Sequence, residues 1–168
     1  MMEKLWAPWR KEYIQSAENQ EANSRCFLCE AISLGVSPQS LVLYLDSLWV
    51  IILNRYPYNN GHLMVAPCRH IGELEDLNHN ELTSIGELTR RAVGWLKNTY
   101  KPQGYNIGMN IGRVAGAGLE GHLHLHIVPR WNGDTNYMPL IADTKVVSEG
   151  LIESWHRIRK TIESEEKL

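Results

Sequence analysis

"GHLHLHIVPRW", residues 121–131, sets three of the chain's seven histidines on alternate positions, each followed by an apolar residue. A strand sends successive side chains to opposite faces. A strand over 122–128 therefore points His122, His124 and His126 one way and Leu123, Leu125 and Ile127 the other, into a core. Neighbouring imidazoles would stand about 6.6–6.8 Å apart along it. Such a row suits two tasks: holding a metal, or binding and attacking phosphate. An ordinary imidazole pKa of about 6.5 makes both the nucleophilic neutral ring and the anion-stabilising cation accessible near neutral pH. The bland alternative is a polar strand face that happens to hold histidine.

The neighbouring segments extend a sheet around this row. "YNIGMNIG" (105–112) reads as a strand, "GRVAGAGLEG" (112–121) as a glycine-rich loop, and the triad strand stops at Pro129 before the polar "RWNGDTNYMP". Upstream, Leu41–Leu45 and Leu48–Leu53 flank "DS" as a hairpin, "YPYNNG" is a turn, and His62–Pro67 is the next strand. Helical spacing runs from Asp76 to about Asn98, with Leu82, Ile85, Leu88, Ala92, Trp95 and Leu96 on one face. It returns from Thr144 to about Glu163, with Val147, Leu151, Ile152, Trp155 and Ile158. This order predicts an α+β domain on a mainly antiparallel sheet.

The 168 residues suit one domain, and 43% hydrophobic with 21% charged residues gives an ordinary core and surface. We divide the chain into an arm (1–25) carrying Trp6 and Trp9, a catalytic domain (26–143), and a C-terminal helix and tail (144–168). A net charge of −2 argues against a nucleic-acid partner, which calls for a basic excess. No signal-peptide core or membrane-length apolar run is present, which predicts a cytoplasmic protein with no membrane partner. In a reducing compartment Cys26 and Cys29, spaced C-x₂-C, read as thiols or metal ligands rather than a disulfide.

"HLHLHIV" matches the His-φ-His-φ-His-φ-φ signature of the histidine triad (HIT) superfamily of nucleotide hydrolases and transferases. "LNRYPYNNGHLMVAP" resembles that family's earlier block, and "MNIGRVAGAGLEG" its loop before the triad. "LWAPWR" and "PRWNGDTNYMP" resemble its bacterial diadenosine tetraphosphate phosphorylase-like branch. The resemblance implies a HIT-like fold: a five-stranded, mainly antiparallel sheet, two main helices, and a sheet extended across a homodimer. It implies that His124 attacks the α-phosphorus of a nucleotide, giving a nucleotidyl-histidine. His126 would bind the phosphate oxygens, and the backbone around His122 would fix the tautomer of His124. His62 would sit near the phosphates, Asn54 would hold the ribose and Asn110 would bind phosphate. Gly116 and Gly118 would let backbone N–H groups approach it. Many hydrolases of the family carry Gln, Ser or Thr where this chain has Gly118, Leu119 and Glu120. Help for the leaving group must then come from backbone N–H groups or elsewhere, which is compatible with phosphorolysis or with a different leaving group.

Some bacterial members hold zinc with such a Cys pair, a histidine after the Gly-His strand and the first triad histidine. The matching residues are Cys26, Cys29, His70 and His122, a closed structural set for Zn²⁺. The expected activity is hydrolysis or phosphorolysis of dinucleoside polyphosphates, with inorganic phosphate a possible second substrate. Alternatives are a nucleoside phosphoramidate hydrolase, a nucleotide-binding regulatory module without turnover, and a zinc-holding scaffold.

Overall fold

The computed structural model describes residues 26–134 and 148–167. The expected arm at 1–25 and the expected start of the last helix at Thr144 lie outside those residues. In chain order the elements are α1 (Phe27–Leu34), β1 (Val42–Leu45), β2 (Trp49–Leu53), β3 (Leu63–Pro67), α2 (His79–Tyr100), β4 (Gly104–Met109), β5 (Leu125–Arg130) and α3 (Leu151–Glu165), with short 3-10 turns at Leu74–Asp76 and Arg113–Ala115. The five strands form one antiparallel sheet in the order β1-β2-β3-β5-β4. This confirms the expected α+β sheet and its two long helices, and adds a short third helix, α1.

Register places His126 opposite Met64 on β3 and Gly108 on β4, so these side chains share a face. Leu63, Ile127 and Ile107 occupy the other face. Helix α2 covers that second face: Trp49 donates its indole N–H to Ser84 Oγ at 2.8 Å, and Tyr105 its hydroxyl to Val93 O at 3.3 Å. Leu88, Ala92, Trp95 and Leu96 are buried in the core with Leu63, Val65 and Ile127. Trp155, Ile158 and Ile162 of α3 join the same core, and the Trp155 indole donates to Val42 O. Each large apolar side chain taken fully from water contributes about 1.5–3 kcal/mol.

Several boundaries differ from the sequence reading, each for a physical reason. The triad strand begins at Leu125 rather than His122, because pairing with both neighbours starts there. It continues through Pro129. The Pro129 carbonyl faces the β3 side, where it accepts from Asn59 Nδ2, and β3 pairing has already ended at Ile127. The missing N–H therefore removes no ladder bond. Strand β4 closes at Met109, opposite Leu125. Helix α2 starts at His79 because Asn78 and Glu81 form a capping box, and Leu82 is exposed rather than in the core. Ser148 to Gly150 precede α3, which begins at Leu151, and Ile152 also faces solvent. Among the described residues, no helix is long and apolar enough to cross a membrane.

Candidate active site

Three backbone contacts fix the tautomers of the three triad histidines, two of them alike and one opposite. A backbone carbonyl only accepts and a backbone N–H only donates, so each contact fixes which ring nitrogen holds the proton. His122 lies with Nε2 2.7 Å from Pro67 O. Its proton is on Nε2, and its bare Nδ1 faces Cys26 Sγ at 3.2 Å and Cys29 Sγ at 3.6 Å. His124 donates from Nδ1 to His122 O at 2.8 Å, which leaves the lone pair on Nε2. The third assignment runs through His62. The Tyr58 N–H donates to His62 Nδ1 at 3.1 Å, so His62 carries its proton on Nε2 and donates to His126 Nδ1 at 2.9 Å. His126 therefore holds its own proton on Nε2.

These groups form one compact array. The His124 and His126 rings stand 4.9 Å apart and nearly perpendicular, and the His62 and His126 rings 5.1 Å apart. Tyr58 stacks obliquely at 4.6 Å from His62. Burial lowers the pKa of His124, against a smaller opposing effect of its bond to His122 O. His122 is also lowered, chiefly by burial. Neutral rings are the form that attacks phosphorus or ligates metal.

The segment before β3 is shaped to deliver His62. Gly61 adopts φ +71°, and a Cβ there would lie 2.8 Å from Tyr100 Cε2. Only glycine permits both the left-handed turn and that approach. Asn54 accepts the Tyr56 N–H on Oδ1, and its Nδ2 lies 3.4 Å from His62 Nδ1. It thus caps the turn and flanks the site. Asn110 directly follows β4, with its Nδ2 4.0 Å from a Cβ built on Gly116. The loop differs from the expected phosphate cradle in one respect. Gly116 N–H is taken by Arg113 O, and the Ala115 and Ala117 N–H groups by Gly112 O. Those three amides hold a 3-10 turn together.

On the other side of His122, Cys26, Cys29 and His70 complete a tetrad whose ligand atoms lie within 4.8 Å of one another. The residues fit a tetrahedral zinc. Bond lengths near 2.0 Å to nitrogen and 2.3 Å to sulfur imply a sulfur–nitrogen separation of about 3.5 Å. The observed separations are 3.2 Å, 3.6 Å and, for Cys29 Sγ to His70 Nδ1, 3.4 Å. The Pro67 carbonyl supplies the outer hydrogen bond that orients a ligating imidazole. Burial, and then the hydrogen bond and charge of Cys26, push the Cys29 thiol up to about 11. Helix α1 carries Cys29 in its first turn with Cys26 as its N-cap.

The structure thus gathers His62, His124, His126 and Asn54 at one place and Cys26, Cys29, His70 and His122 beside it. Sequence reasoning missed Tyr58, whose contribution is a backbone N–H, and the Pro67 carbonyl; residue type signals neither. It also missed Glu81, which the spacing Asn78-x-x-Glu81 does signal. Arg69 donates to Glu81 from Nε at 2.8 Å and from Nη2 at 2.7 Å, which anchors the segment carrying His70.

Comparison with known proteins agrees with this geometry. A protein from Mycobacterium tuberculosis named AP-4-A phosphorylase is 38% identical over 95% of this chain and 84% of its own length. The asymmetrical bis(5'-nucleosyl)-tetraphosphatase of Schizosaccharomyces pombe is 30% identical over 68% of this chain and 63% of its own. Among solved structures, a hypothetical histidine triad nucleotide-binding protein from Sulfolobus tokodaii superposes with a TM-score of 0.67 at 27% identity, covering 83% of this chain and 93% of that one. A Zn-bound histidine triad family protein from Mycobacterium smegmatis gives 0.66 at 24% identity, over 84% and 96%. The HIT domain matches residues 36–133, and the chain belongs to that family.

Proposed function

We propose that this HIT-family enzyme is a phosphorylase of dinucleoside polyphosphates of the diadenosine tetraphosphate type, working through a nucleotidyl-His124 intermediate. The observation that carries the reading is the 2.8 Å bond from His124 Nδ1 to His122 O, which leaves Nε2 as the bare nucleophilic atom. In the first step a bond forms from Nε2 to the α-phosphorus, the phosphoanhydride bond breaks, and ATP leaves. His126, protonated on Nε2 through its contact with His62, donates to the phosphate oxygens as charge builds on them. Asn54 holds the ribose, and Asn110 binds phosphate at the β4 side. In the second step inorganic phosphate attacks the same phosphorus, returns His124 and yields ADP. Phosphorolysis is favoured over hydrolysis by the name of the 38% identical relative; Gly118 and Leu119, which offer no side-chain donor to a leaving oxygen, are compatible with it.

Zinc on Cys26, Cys29, His70 and His122 would act as a closed structural clamp, its four positions filled by protein atoms. A reducing compartment such as the cytoplasm keeps those thiols available. A homodimer joined along β4 is compatible with its place at the sheet edge and with Ile107, which is 48% exposed on the face away from the histidines.

The test is product analysis with diadenosine tetraphosphate, with and without inorganic phosphate. ADP plus ATP that forms only when phosphate is present is the expected result. AMP plus ATP in both conditions would make the protein a hydrolase. Absence of turnover in both would end the dinucleotide reading.

A further inference from the structure

The sheet order puts β5 between β3 and β4, so the space around His126 has two sides. On the β3 side stand His62, Tyr58 and Asn54, closely packed with rings 4.6–5.9 Å apart. The β4 side differs. Gly108 is the cross-strand partner of His126, and directly opposed Cβ positions lie about 4.5–5.5 Å apart. Any side chain at 108 would stand next to the His126 ring, yet this residue has none. A Cβ built there meets nothing within 4 Å. Alternation places Asn106 on the same face as Gly108. Further along this face Arg130 donates to Asn106 Oδ1 at 2.8 Å, and its guanidinium is fixed by Asp134.

We infer that Gly108 is a specificity-determining residue: its missing side chain opens a path along the histidine face of β4 that carries the part of the substrate beyond the reacting phosphorus. The inference rests on the nucleotidyl-His124 reading. With the ribose held on the Asn54 side of β5, the remainder of the substrate emerges on the opposite side, over β4. A polyphosphate chain passing there meets Gly108 first and then amide and guanidinium donors at Asn106 and Arg130. The adenylyl half does not cross β4 and is indifferent to residue 108.

The experiment is titration calorimetry of wild type, Gly108→Ala and Gly108→Val with two probes: AMP, and a methylene-bridged diadenosine tetraphosphate that cannot turn over. Valine suits an edge strand better than glycine, so the fold should hold, and a melting curve checks it. Alanine adds only the Cβ and keeps the test available if valine unfolds the chain. In Gly108→Val the AMP affinity should stay within about twofold, while the bridged dinucleotide weakens by about tenfold or more, with alanine in between. Equal weakening of both probes, or no change in either, would overturn the inference. A wild type that binds neither probe would instead defeat the nucleotide reading on which it rests.

Discussion

His122 and His124 are identical residues two positions apart, and the structure uses them in opposite ways. His122 commits both ring nitrogens, Nε2 to Pro67 O and Nδ1 to the two thiols. His124 commits only Nδ1, to the carbonyl of His122 itself. On the proposed reading the first ring is a fastening and the second a reagent, and the carbonyl of the first aims the second. Residue type is shared, so the difference comes from which backbone groups lie within reach.

The largest effect should come from removing the reagent. His124→Ala should lower turnover by about a thousandfold or more while leaving AMP affinity nearly unchanged. Turnover that survives in this variant would erase the contrast between the two rings. Removing the fastening should do less to chemistry and more to structure. Elemental analysis should find one zinc per chain in wild type and none in a Cys26→Ala, Cys29→Ala variant. That variant should lose melting temperature together with about 10–100-fold in activity. Metal-free wild type would reduce His122 to an ordinary buried histidine.

The third ring tests whether a relay can act at one remove. His62 does not attack; it accepts from the Tyr58 N–H and presents its proton to His126. His62→Phe keeps the volume and breaks the relay, and should lower kcat by about tenfold. His62→Gln can accept from Tyr58 and donate to His126, and should recover part of that loss. Equal rates in the two variants would show that His62 only fills space.

Much of this was legible in the sequence because alternation is a strong signal. It placed the histidines opposite Leu123 and Ile127, both buried, and C-x₂-C pointed to the thiol pair. The same signal overstated the strand. His122 and His124 lie before β5, and their placement depends on bonds to Pro67 and Ile71 that no local pattern encodes. Helix α1 escaped notice because its N-cap is Cys26, which makes no side-chain cap bond, and because it spans only eight residues. Leu82 shows the limit of periodicity: it falls on the helical stripe but faces water. Gly108 matters for a side chain it lacks, and its meaning appears only with the register of β4 on β5.

The smallest expected effect separates the two halves of the site by how they are tied to the rest of the fold. Arg69 precedes His70 and is held by the buried Glu81 carboxylate and by Asp76 O. The segment carrying His70 is thus moored to the N-terminus of α2. The Arg69 guanidinium holds the Glu81 carboxyl below the usual range, against its burial. Folded chain therefore binds this proton more weakly than unfolded chain, whose carboxyl titrates near pH ~4.3. The stabilisation is full above that value and is lost as pH falls through the lower folded pKa. Glu81→Gln should slightly lower the urea midpoint at pH 7 and make stability fall less between pH ~5 and 3 than in wild type. It should also speed zinc release to a chelator while leaving the AMP affinity of the His124 half unchanged. Identical acid profiles in variant and wild type would remove Glu81 from the mooring of His70, and a parallel loss of AMP binding would mean that the two halves are not separately tied.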